Sequence, residues 1–116
     1  MINGIINVYK ERCFTSFDVV AKLRGILHER KIGHTGTLDP EATGVLPICI
    51  GNATKVCELL TDKDKVYRTV MHLGITTDTQ DMTGTVKEDR SREAALLKEQ
   101  TVEAAILQFV GDYEQI

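Results

Sequence analysis

Tryptophan is missing from the 116 residues, and three tyrosines and three phenylalanines are the only aromatics. Any core must therefore rest on Leu, Ile and Val. No apolar run approaches the roughly 18 residues of a membrane-spanning helix. The first ten residues, MINGIINVYK, hold no basic segment followed by a long apolar stretch, so neither anchor nor secretion signal is expected and the reading is a cytoplasmic protein. The three cysteines, Cys13, Cys49 and Cys57, form no CxxC pair, and their odd number and scattered spacing make a poor disulfide framework. Joined to His28, His34 or His72 they give no finger or ribbon spacing, so reduced thiols and no metal are expected.

Excess positive charge is lacking as well. Fourteen Lys and Arg face seventeen Asp and Glu, a net −3, which argues against a general nucleic-acid footprint. The average conceals an asymmetry. Up to His34, six bases (Lys10, Arg12, Lys22, Arg24, Arg30, Lys31) face three acids, and from Thr35 onward eight bases face fourteen acids. A polyanion would approach the N-terminal third, although each of these charges taken alone is better read as solvating a helix face.

What is present is ordinary for a globular domain: 42% apolar and 27% charged residues, and a length that predicts one domain rather than two. GIINVYK (residues 4–10) reads as a strand. Thr15 and Ser16 offer an N-cap with Asp18 in the first turn, and Val19, Val20, Leu23, Ile26 and Leu27 recur at helical spacing, which predicts a helix over 16–29. VLPICIG (45–51) reads as a short buried strand that Pro47 should place at an edge or a bulge. NATKVCELL (52–60) predicts a two-turn helix capped by Asn52. The alternation in KVYRTVMHLGI (65–75) predicts a strand. After a polar loop, TTDTQDMTG, a strand TVKE and a final helix over about 91–109 are expected, the latter burying Ala95, Leu96, Val102, Ile106, Leu107 and Phe109. Too few strand-helix-strand units occur for a doubly wound fold. The class is α+β, with a mixed, mainly antiparallel sheet and flanking helices.

The densest chemistry lies in GHTGTLDPEATG, residues 33–44. Glycines and threonines could cradle a phosphate, but neither GxxxxGK[ST] nor GxGxxG is present. The other reading is a carboxylate held in place. Pro40 drives Asp39 out of the helical region, so the backbone itself directs the side chain, as suits a nucleophile or base. An isolated Asp-Pro would be an ordinary turn.

GHTGTLDPEATGVLPICIGNATK, followed by DKVYR, LGITTDTQDMTG and FVGDYEQI, resembles in content and order the TruB family of tRNA pseudouridine synthases. The resemblance implies the N-terminal part of that family's catalytic domain over residues 1–116, with Asp39 as the catalytic aspartate for isomerising a T-loop uridine, and no cofactor. It implies that Tyr67 lies against the flipped base and that His34 helps to open the T-loop. Lys10, Arg30, Lys31 and Lys55 are expected on RNA. Gly33, Thr35, Gly36, Pro40, Gly44 and Asp78 are expected to support the site, Asp78 equally by structural hydrogen bonds to turn amides.

The sequence departs from the family at a first motif that usually reads KPxGxTS. Here it is KERCFTS, with Glu11 for proline and Cys13 for glycine. Family members also continue past GDYEQI, into an arginine that pairs with the aspartate and a C-terminal RNA-binding domain. The isolated chain is therefore expected to be inactive or weakly active, with an exposed apolar face inviting a homodimer. The guide-RNA-dependent branch of the family is a related reading, disfavoured by the TDTQDMTG loop. A different class is a non-catalytic RNA-binding module that keeps the fold.

Overall fold

Residues Gly4–Lys10 form strand β1, as their β-branched run predicts. In the computed structural model, which describes residues 1–115, helix α1 (Ser16–Leu27), strand β2 (Ile32–His34) and strand β3 (Gly44–Ile50) follow. A 3-10 helix (Gly51–Val56) then leads into the short helix α2 (Cys57–Thr61). The chain divides into two compact units, Met1–Val66 and Tyr67–Ile116.

The first unit holds an antiparallel sheet of order β1-β3-β2. Leu46, Ile48 and Ile50 project from one face of β3 and are buried with Ile32 of β2 and with Val19 and Val20 of α1. Val8, Leu23, Leu27 and Leu38 pack around this cluster. Of the five apolar positions that predict α1, only Ile26 stays out, 63% exposed. The helix starts on a full capping box: the Thr15 hydroxyl accepts the Asp18 N–H at 2.9 Å, and the Asp18 carboxylate accepts the Thr15 N–H at 2.8 Å. It ends two residues before the expected boundary because His28 turns left-handed, φ 51°.

Pro47 corrects one expectation. Its strand is central, yet the proline is tolerated there for a reason of register. Gly51 donates to the Lys31 carbonyl and Thr35 N–H donates to the Pro47 carbonyl, so residues 47, 49 and 51 turn their polar groups toward β2. The reciprocal bond from residue 47 cannot form, and β2 stops one residue earlier, at His34. Pro47 thus occupies a local edge inside a central strand.

The helix predicted over 52–60 is also corrected. It begins as a 3-10 turn without a side-chain cap, and the Asn52 N–H is held instead by the Asn3 side chain at 2.7 Å. Gly51 permits this crossing: at φ +62° it lies against Asn3 and the Ile2 carbonyl, where a Cβ would collide.

The second unit contains an antiparallel pair, β4 (Ile75–Thr77) with β5 (Val86–Asp89), and helices α3 (Ser91–Ala94) and α4 (Glu99–Leu107). The strand predicted over 65–75 is reduced to its last residue. Residues 64–72 are irregular, with Val66 99% and Val70 96% exposed. The alternation is that of a strand, but no described strand lies beside it to accept its ladder. The single helix predicted over 91–109 is broken at Ala95–Lys98, and each piece starts with an acid in its first turn, Glu93 and Glu99. Its expected core residues are not buried: Leu96, Ile106, Leu107 and Phe109 are all exposed. Among the described residues no helix is long and apolar enough to cross a membrane.

The Asp18 carboxyl lies below its ordinary value because the Thr15 N–H and hydroxyl group hydrogen-bond its charged form. Its contribution is present above the unfolded value and is lost as pH falls through the lowered folded value. Thr15→Ala is expected to destabilise the first unit by about 1 kcal/mol. Asp18→Asn should melt below the parent near neutrality, with the gap closing as pH falls through the lowered folded value; thermal melts by circular dichroism from neutral to acid pH check both.

Candidate active site loop

Between β2 and β3 the chain makes one excursion, residues 35–43, and Asp39 stands at its turn. The Asp39 carbonyl accepts the Ala42 N–H at 2.9 Å with Pro40 as the second residue, the geometry Asp-Pro favours in a β-turn. Asp39 itself is exposed. At the start of the excursion Thr35 is buried and gives both its N–H (3.2 Å) and its hydroxyl (3.1 Å) to the Pro47 carbonyl. Gly36, at φ +146°, reverses the chain so that its carbonyl meets His34 Nδ1 at 2.6 Å. Since a carbonyl only accepts, Nδ1 carries the proton in that bond. Gly33 lies in β2, where a Cβ would stand 3.2 Å from the Cys57 Sγ, and Gly44 opens β3. Cys49, fully buried opposite Gly33, has its thiol pushed up to about 11 by burial and by the Cys57 thiol. It is therefore a packing thiol rather than a nucleophile.

The segment between β1 and α1 grips this loop. Lys10, expected on RNA, is instead 0% exposed, and its Nζ donates to the carbonyls of Glu11 (2.9 Å), Phe14 (2.7 Å) and Pro40 (3.3 Å). An ammonium has three donors. All three are spent on backbone, so Lys10 holds the loop from inside and has no donor left for a phosphate. The Cys13 N–H donates to the same Pro40 carbonyl at 2.8 Å. On the outer side Arg12 binds Glu41 at 2.6 Å, and this hydrogen bond and charge raise the arginine. Buried Ser16 reaches the residue before Asp39: Leu38 N–H donates to its hydroxyl at 3.0 Å. The sequence marks Ser16 only by its place beside a helix cap and as the last residue of the KERCFTS motif, and neither points to Leu38.

The two departures in the first motif find their explanation here. Glu11 is exposed and contributes its backbone carbonyl, a group that every residue carries. Cys13 adopts φ +70°, the left-handed conformation that glycine takes without strain. The strain of this turn is borne by Cys13.

Arg30, Lys31 and Lys55 are exposed, the first two just beyond α1 and the third in the 3-10 helix. A cleft of about 200 Å³ between β1 and α1, lined by Val8, Phe14 and Leu23 among others, does not include Asp39. In the second unit Tyr67 is 66% exposed. Asp78 closes a turn, its carboxylate accepting the Thr85 N–H at 2.8 Å, while Asp81 gathers the Thr79 and Thr83 hydroxyls and the Thr83 N–H. Among the described residues no group of three or more His, Cys, Asp or Glu is arranged to hold a metal.

Cys13→Gly is expected to stabilise the first unit by up to about 1 kcal/mol, since a left-handed L-residue costs roughly 1–2 kcal/mol and glycine returns part of that as unfolded-state entropy. Cys13→Val should destabilise it; paired thermal melts decide the sign.

Comparison with known proteins then gives a consistent result. The family model for the TruB family pseudouridylate synthase (N terminal domain) matches residues 24–116. tRNA pseudouridine synthase B of Lachnoclostridium phytofermentans is 77% identical over 74 residues, 64% of this chain and 24% of that protein. The Bacillus pumilus and Staphylococcus epidermidis proteins of the same name are 52% and 50% identical over all 116 residues. The chain spans only 37% and 38% of their respective lengths. Among solved structures, one described as an H/ACA RNP bound to a substrate RNA containing 2'-deoxyuridine aligns at TM-score 0.47 and 46% identity, over 48% of this chain and 18% of that one.

Proposed function

The chain belongs to the TruB family of pseudouridylate synthases, and on that premise we propose that it supplies the aspartate-bearing part of an enzyme converting uridine to pseudouridine in the T-loop of tRNA. One observation supports this above the others: Asp39 is exposed while the backbone on both sides of it is tied to buried groups. A carboxylate so held can meet a substrate without reorganising.

The reaction needs no cofactor. The bond from uracil N1 to the sugar C1′ breaks, the base turns, and a C5–C1′ bond forms; C5 gives up its proton and N1 gains one. Asp39 serves by attack at C1′, by attack at base C6, or by assisting proton removal from the ribose. The uridine must leave the RNA stack, at a few kcal/mol, before any of these steps. In this reading Tyr67 lies against the flipped base, and His34 engages the opened loop. Arg30, Lys31 and Lys55 neutralise phosphates, a role their exposure permits. Lys10 drops out of that set. The setting is the cytoplasm, where tRNA is modified.

Unmodified tRNA carrying tritium at uracil C5 tests the assignment. The chain is expected to release tritium slowly, and Asp39→Ala to reduce release to background while tRNA binding persists. Equal release from both proteins would remove Asp39 from the chemistry. Saturable, salt-sensitive binding with no release from either would favour the non-catalytic RNA-binding module.

The same reading includes self-association. Ile5, Tyr9 and Val45 share the sheet face opposite α1 and are 49%, 67% and 63% exposed, and in its sheet β1 has no partner on its outer side. The one charge in β1, Lys10, is turned inward and so cannot guard that edge. Sedimentation velocity is expected to show a concentration-dependent dimer; a monodisperse monomer at every concentration overturns this part.

A further inference from the structure

We propose that Ser16 is a positioning residue for Asp39, acting through its hydroxyl on the peptide group that enters the aspartate. The inference rests on the reading of Asp39 given above, but its structural half stands independently. Ser16 is 2% exposed at the first position of α1, one residue past the cap. The cap is Thr15, whose hydroxyl takes the Asp18 N–H. The Ser16 hydroxyl is left for another element. It accepts the Leu38 N–H at 3.0 Å and donates to the Leu38 carbonyl at 3.4 Å.

The second contact, longer than an ordinary O–H···O bond, is the one that bears on Asp39. The Leu38 carbonyl belongs to the peptide plane that joins Leu38 to Asp39, so fixing it fixes the plane on the N-terminal side of the Asp39 Cα. The plane on the other side is fixed by the Ala42 N–H on the Asp39 carbonyl and by the proline ring. Two pinned planes determine φ and ψ between them, and with these the direction of the Cα–Cβ bond. Only the side-chain torsions of Asp39 remain free. The bonds from Lys10 and the Cys13 N–H act one residue later, on the Pro40 carbonyl, and cannot replace Ser16 on the entering side.

The test compares Ser16→Ala, Ser16→Cys and Ser16→Thr in the full chain. Cysteine keeps the volume with a poor donor and acceptor, so it serves if alanine fails to fold; threonine keeps the hydroxyl. Loss of the hydroxyl should speed amide exchange at Leu38 at least about tenfold relative to Val20 and Ile48, the effect of about 1.4 kcal/mol confined to one place. The Asp39 amide order parameter should fall from about 0.85 toward 0.6. Threonine should restore both. In tritium release, the alanine and cysteine variants should lose kcat at unchanged KM for tRNA. Unchanged Leu38 exchange and Asp39 order in both variants, or an equal loss of protection across α1 and β3, overturns the proposal. If Asp39→Ala leaves release intact, the functional reading fails, whereas the ordering of Asp39 by Ser16 is decided by the two NMR measurements alone.

Discussion

The attachment of residues 10–16 to residues 38–41 is the constraint on which the site depends. An excursion of nine residues between two strands has no ladder of its own and would ordinarily be mobile. Here its polar backbone groups are claimed from a segment distant in sequence: the Pro40 carbonyl by Lys10 and the Cys13 N–H, Leu38 by Ser16, with Arg12 on Glu41 at the surface. The buried bonds carry the restraint. The Arg12–Glu41 pair, with both partners well exposed, is of the kind that contributes little.

The grip explains why a lysine is buried with no carboxylate beside it. A lone ammonium in an apolar interior is costly. Three carbonyls at 2.7–3.3 Å compensate, and the arrangement closes the β1–α1 loop and fastens the Asp39 loop with a single side chain. A shorter or neutral side chain would leave carbonyls unsatisfied on both segments. Cys13 shows the same priority, since the backbone keeps a left-handed turn there even without glycine.

Much of this was legible. Strand β1, helix α1 with its capping box, and the span of β3 follow from β-branched runs, cap chemistry and helical spacing. The loop around Asp39 was legible from its turn residues and from family resemblance. The failures share a cause. Lys10 reads as a surface base because a sequence shows charge but not which carbonyls lie within reach. The alternation over 65–75 and the apolar positions over 91–109 state what those segments would bury, without stating whether a partner is present; in the second unit they stay exposed. Pro47 misled for a subtler reason, because edge and centre are properties of each side of a strand, residue by residue.

The sequence by itself determined the capped start of α1, the strands β1 and β3, and the turn at Asp39. Proline after Asp39, threonine before α1 and glycine at 36 each act through bonds and sterics within a few residues. Tertiary structure decided what those residues are for. That Lys10 fastens the Asp39 loop, and that Ser16 touches the residue before Asp39, depends on bringing together groups 30 and 22 positions apart. Such pairings arise from the register of β1 on β3 and the packing of α1 on the sheet, and no local property of the chain encodes them.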